Sequence, residues 1–148
     1  MAKGVNEPLY TIEILRLAAS IPHLSPLENP QGRAEARSPT CGSRVSAAVI
    51  LDDAGRVLGF SQAVEACAFG QASAAILGSN ALERTAPEIE QALADFSTWL
   101  DGERDDPGSW PGLDALSPAR SRRARHGAML LPFRALLAAI RDAEGKDQ

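Results

Sequence analysis

Arg44-Val45-Ser46-Ala47-Ala48-Val49-Ile50-Leu51-Asp52-Asp53-Ala54-Gly55 is the stretch that decides the fold. Val45, Ala47, Val49 and Leu51 fall on one face and Ser46, Ala48 and Ile50 on the other, the period of a half-buried strand. Asp52 to Gly55 supplies a turn, after which Leu58, Phe60, Gln62 and Val64 alternate with Gly59, Ser61 and Ala63. Two alternating arms on one turn predict an antiparallel hairpin. Cys41 precedes the first arm and Cys67 follows the second, so a hairpin turning near residue 53 brings both thiols to the same end of the sheet.

Beyond the second arm, Ala66-Cys67-Ala68-Phe69-Gly70-Gln71-Ala72-Ser73-Ala74-Ala75 reads as a strand-to-helix junction, with a helix from about Gly70 to Leu82 that Gly78 weakens. A thiol beside a helix start meets unpaired N–H groups and the positive dipole end, which favour the thiolate that binds metal or attacks electrophiles. The plainer alternative is a small buried hydrophobe, the usual fate of an unpaired cysteine. Thr85-Ala86-Pro87-Glu88 is a capping box, and Ile89, Ala92, Leu93, Phe96 and Leu100 form the stripe of the helix that follows, as far as Gly102. An acidic loop from Glu103 to Leu113 carries Trp110, expected to cover the core edge. Ser117-Pro118 starts a short basic helix, and Met129, Leu130, Phe133, Leu136, Leu137 and Ile140 mark a terminal one, which either begins near Leu131 or kinks at Pro132.

Ahead of the hairpin, Asn6-Glu7-Pro8 caps a first helix near residues 8–20. Four prolines between Ile21 and Pro39 leave room only for a short edge strand from Arg33 to Arg37. His23 lies in that loop and reads as polar surface. The fold class is α+β: a three-stranded antiparallel sheet with an N-terminal helix and C-terminal helices packed on one face. Residues 1–148 are expected to form a single domain, with an ordered core at about 8–143.

The 148 residues are 45% apolar, enough for one core without disulfide staples. No apolar run is long enough for a transmembrane helix and nothing near Met1 resembles a signal peptide, which predicts a cytoplasmic protein. Two cysteines in a reducing compartment suit a metal or redox pair, or packed thiols. A net charge of −4 argues against general nucleic-acid binding. The exception is a basic patch of Arg120, Arg122, Arg123, Arg125 and His126, either solvated or facing an acidic partner.

There is no phosphate loop, no Gly-x-Ser-x-Gly elbow and no Cys-x-x-Cys, and the carboxylates are dispersed on surface faces. A Cys67–His126 nucleophilic dyad would lack an orienting third group. Metal chemistry fits better: two thiolates make half of a tetrahedral site, with His126 as a third ligand, and sulfur plus imidazole suits zinc or an iron-sulfur cluster. An open position at such a site suits transfer.

From about Leu9 to Ile140 the chain resembles the IscU/NifU/SufU-type iron-sulfur cluster scaffold domain. The likeness is carried by Asn29-Pro30-Gln31-Gly32, Cys41-Gly42, the turn Asp53-Ala54-Gly55, Cys67 followed by Ala72-Ser73, and Ala135-Leu136 in the last helix. Two positions depart from the pattern. Ser43 stands where the family's Cys-Gly-Asp has its carboxylate, and the third family cysteine falls at Ala128, two residues from His126. The resemblance implies a non-enzymatic scaffold, a transient 2Fe-2S cluster or Zn2+ as cargo, a cysteine desulfurase as sulfur donor and iron-sulfur acceptor proteins as recipients. Cys41, Cys67 and His126 are then the metal ligands and Ser43 a marginal fourth, with a homodimer sharing one cluster left open. Alternatives are a degenerate interaction module of the same fold without a metal centre, and a thiol-redox protein forming a reversible Cys41–Cys67 disulfide.

Overall fold

The structure, a computed structural model, describes residues 10–39 and 42–145. Its elements run α1 (Ile12–Ala18), β1 (Gly32–Arg37), β2 (Arg44–Leu51), β3 (Val57–Glu65), α2 (Ala68–Ser79), α3 (Ala86–Leu100), a 3-10 segment (Leu113–Ala119) and α4 (Arg123–Ala143). The strands form one antiparallel sheet in the order β1-β2-β3, so the edge strand and the hairpin stand as the sequence predicts. Asp52 fixes the hairpin turn: one carboxylate oxygen accepts the N–H groups of Ala54 and Arg56, each at 2.9 Å. Those bonds, that of Arg56 foremost, hold its carboxyl below the usual range.

Register decides which side chains face inward. Val45, Ala47 and Val49 pair with Val64, Gln62 and Phe60, and on this face Val45, Val49 and Phe60 are buried among the helices. Ser46, Ala48 and Ile50 occupy the opposite face, only half-buried. The loop ahead of β1 runs along the far edge of the sheet, where the carbonyl of His23 accepts the N–H of Gln62 at 2.8 Å. Leu24, Pro26, Leu27 and Pro30 then wall a groove of about 580 Å³ with Ala48 and Ser61. At the free edge, Asp142 accepts the N–H of Arg33 at 2.9 Å, and alternating charges at Arg33, Glu35 and Arg37 discourage a further strand.

The start of α1 differs from expectation. Thr11 caps it, its hydroxyl oxygen accepting the N–H of Ile14 at 3.1 Å, and the Asn6-Glu7-Pro8 cap lies outside the described residues. Helix α2 begins two residues before Gly70 and ends at Ser79, because the chain beyond is drawn into the sheet: Glu83 donates to Val57 at 2.7 Å and Val57 to Arg84 at 2.9 Å. The capping box opens α3 as predicted, with Glu88 accepting the N–H of Thr85 at 2.9 Å.

No basic helix starts at Ser117-Pro118, which lie in the 3-10 segment; Arg123 and Arg125 instead stand in the first turn of the terminal helix. Helix α4 continues through Pro132, which has no N–H for the carbonyl of Ala128, an interior cost of about 3 kcal/mol. Burial offsets it, since Met129, Leu131, Phe133, Leu136 and Ile140 are at most 1% exposed and each such side chain contributes roughly 1.5–3 kcal/mol. Phe133 is the hub, its ring 5.4 Å from Phe96 and 5.3 Å from Trp110. Trp110 closes the core edge as expected and donates its indole N–H to Ile76 at 3.1 Å.

Helix α4 lies across β1 and β2 so closely that a Cβ on Gly32 would strike the backbone of Ala139 and Ala143. Gly32→Ala should therefore destabilise the protein by about 2–3 kcal/mol, the cost of overpacking against main chain that cannot move aside. Urea unfolding at constant m-value checks it, and because Gly32 is not among the positive-φ glycines the loss reports the clash and not backbone strain.

Candidate functional site

The end of the sheet predicted to carry the thiols is defined by the last pair of the β2–β3 ladder, Arg44 with Glu65. The two side chains clasp across it, Arg44 donating Nε to Oε1 at 2.8 Å and Nη2 to Oε2 at 3.0 Å. Beyond Glu65 the chain turns at Cys67, the N-cap of α2, with extended backbone (φ −67°, ψ 172°). Its carbonyl accepts the N–H of Gln71 at 2.9 Å, its side chain makes no capping bond, and the residue is half-buried beside the core. The predicted strand-to-helix junction is thus present, with the thiol at the junction itself.

On the other strand, Ser43 immediately precedes β2. It is buried at 5% exposure, and its carbonyl accepts the N–H of Ser38 at 2.9 Å. Gly42 adopts φ +72° and donates to Ser38 at 3.1 Å, which closes the turn. Cys41 lies outside the described residues.

The third contributor is the first turn of α4. A Cβ on Gly127 would come within 3.0 Å of the Ser38 hydroxyl, so the helix start rests against the β1–β2 turn. Ala128 is fully buried, and a Cβ on Gly70 would meet its Cβ and its carbonyl oxygen at 3.3 Å each. Ser73 fastens the same two helices by donating to the carbonyl of Met129 at 2.6 Å. Position 128, where the resemblance implies a third cysteine, is thus filled by close helix packing.

His126 stands two residues earlier, about 200° around the helix from Ala128. Its Nε2 lies 2.9 Å from the carbonyl oxygen of Arg120, and because a carbonyl only accepts, Nε2 is the donor in this contact. The structure therefore gathers Cys67, Ser43 and the Gly127–Ala128 turn at one end of the sheet, while the imidazole engages the segment before α4. Among the described residues, no three of His, Cys, Asp and Glu group so as to hold a metal ion.

Sequence reasoning missed the close packing of α2. Its signal was present in Ala66, Gly70, Ala74 and Gly78, small residues at four-residue spacing that let a helix approach its neighbours. Gly78 serves a second approach, since a Cβ there would meet the Gln62 amide at 2.7 Å. Among the described residues no helix is long and apolar enough to cross a membrane.

Comparison with known proteins agrees with this geometry. No family model and no curated protein matches the chain. The crystal structure of the N-terminal part of a nitrogen-fixing NifU-like protein from Brucella abortus matches with TM-score 0.86 and 32% identity, over 93% of this chain and 96% of that one. An iron-sulfur cluster assembly scaffold protein for the SUF system from Fervidobacterium islandicum matches with TM-score 0.80 and 18% identity, over 89% and 96%.

The Arg44–Glu65 clasp sets a pH dependence. The hydrogen bonds from Arg44, and then its charge, hold the Glu65 carboxyl below its usual 4.5. A depressed carboxylate stabilises the fold above its unfolded value, and that contribution is lost as pH falls through the folded one. At low ionic strength the melting temperature of the wild type should exceed that of Glu65→Gln near neutrality, and the two should converge below pH 4.5. Because the pair is exposed, the gap should also close in about 1 M salt.

Proposed function

This chain belongs to the IscU/NifU/SufU-type scaffold family, and from that premise we propose that it holds an iron-sulfur cluster, or a zinc ion, through Cys41 and Cys67 and passes its cargo to acceptor proteins. The observation that supports this reading most is the placement of Cys67: a half-buried thiol at the N-cap of α2, beside the strand end at which β2 begins. Soft sulfur is the donor that iron-sulfur clusters and zinc take. A cysteine desulfurase would supply the sulfur, and the site of action would be cytoplasmic.

Two further ligands belong to the proposal in a lesser role. The imidazole of His126 would offer Nδ1 as a metal donor in its neutral form, while Nε2 donates to the carbonyl of Arg120. Ser43 offers a hydroxyl in place of a carboxylate, a poorer ligand at neutral pH. A site this short of charge would hold its cargo loosely, which suits transfer more than storage.

A second reading is favoured by one observation. Ala128 is buried against Gly70 where a third thiol would be needed, which fits a module that keeps the fold and binds the assembly machinery without a metal of its own.

Anaerobic reconstitution with ferrous iron and sulfide separates the two. The scaffold reading expects visible thiolate-to-iron absorption that disappears in Cys67→Ser and in Cys41→Ser. No absorption in the wild type, together with desulfurase binding that survives replacement of both cysteines, would replace it with the interaction module.

A further inference from the structure

The outer face of the sheet, turned away from the helices, holds side chains that the core does not use. Register sets them in rows across the three strands, with Arg33, Ala48 and Ser61 in one and Glu35, Ser46 and Ala63 in the next. On one side of these rows stand Ile50 and Gly59, where the loop ahead of β1 comes to rest: Cδ2 of Leu27 lies 3.5 Å from the place a Cβ on Gly59 would take. On the other side runs the charged row of Arg37, Arg44 and Glu65, closed by the Arg44–Glu65 clasp. Between loop and clasp the floor on β2 and β3 carries only alanine and serine, where strands ordinarily carry branched or aromatic side chains. Small side chains leave the space above them open. The result is the groove of about 580 Å³, a volume in the range of small-molecule sites.

The lining narrows what fits there. Leu24, Pro26, Leu27 and Pro30 form an aliphatic wall, and no aromatic ring lines the groove, so a base or other flat ring finds no stacking platform. Glu35 is already engaged, its Oε1 accepting Nε of Arg37 at 3.0 Å. Arg33 is not. Its backbone N–H goes to Asp142, but among the described residues no ion pair or hydrogen bond engages its exposed guanidinium. Ser61, in the same row, is only 8% exposed and lines the groove, and among the described residues its hydroxyl has no hydrogen-bond partner. A fold seldom leaves a buried hydroxyl unmatched, and seldom sets a free cation beside an aliphatic wall without a use for both. With Glu35 neutralised by Arg37, the groove carries one net positive charge.

We infer that this groove binds a small aliphatic monocarboxylate. Its carboxylate takes the planar fork of Arg33, with the Ser61 hydroxyl as a further donor, and its hydrocarbon chain lies on the alanine and serine floor against the wall from Leu24 to Pro30. None of Ser43, Cys67 and His126 lines the groove, so the inference stands whether or not the chain holds a metal.

The probe is octanoate, a chain suited to the roughly 10 Å that three strands span. Titrated into the isotope-labelled full chain, it should bind saturably at one site, with the largest amide shifts at residues 46–48 and 61–63. Calorimetry should give a Kd at least about tenfold weaker for Arg33→Gln, the loss of one charge-assisted contact, and octanol should bind the wild type more weakly by a similar factor. Ala63→Leu fills the floor at an exposed strand position and should abolish binding without lowering the melting temperature. Arg33→Gln leaves the main-chain bond to Asp142 in place, so its result does not depend on how Ala63→Leu folds. No saturable binding below about 10 mM, shifts confined to another face, or equal affinity in Arg33→Gln overturns the inference. So does sedimentation in which the wild type pairs with itself and Ala63→Leu does not, since the occupant would then be a second copy of the chain.

Discussion

Helix α4 can come down on the sheet and on α2 only because side chains are missing where they meet. Gly32 admits the backbone of the last turns of α4, Gly70 admits Ala128, and Gly127 admits the hydroxyl of Ser38. These contacts fix the helix at both ends, and the apolar face between them buries Met129, Phe133, Leu136 and Ile140 into the common core. A side chain at Gly32 would have to be accommodated by main chain, and interiors at crystal-like density have no slack for that.

The candidate site is a consequence of that packing. Cys67 caps one helix, Ser43 precedes one strand and Gly127 belongs to a third element, and they share an end of the molecule because the Arg44–Glu65 register and the α2–α4 contact coincide there. Close packing also takes something away, since the helix seam leaves no space for a donor atom at Ala128. Family membership, with 32% identity over nearly the whole length of the Brucella relative, thus coexists with a buried alanine in the helix seam at position 128.

The start of α4 carries local penalties. Uncompensated cations at a helix start cost about 0.3–1 kcal/mol apiece, and an interior proline costs about 3 kcal/mol. Both fall within the first half of α4, the segment that meets the β1–β2 turn and α2. The remaining turns carry apolar burial enough to hold the helix regardless.

Much of this was legible in the residues themselves. The alternation through Val45, Ala47 and Val49, the Asp52 turn, the Thr85–Glu88 box and the stripe ending at Leu100 are local patterns, and each formed as read because its cause is local. The common end of β2 and β3 followed from the hairpin alone. Where α2 stops, whether α4 survives Pro132, and which way His126 turns were settled elsewhere: by Val57 drawing residues 83–84 into the sheet, by burial on both sides of the proline, and by the carbonyl of Arg120. Those outcomes balance a local penalty against contacts between residues far apart in sequence. Periodicity and propensity register only the first of these terms, and the second exists only once the chain has closed on itself.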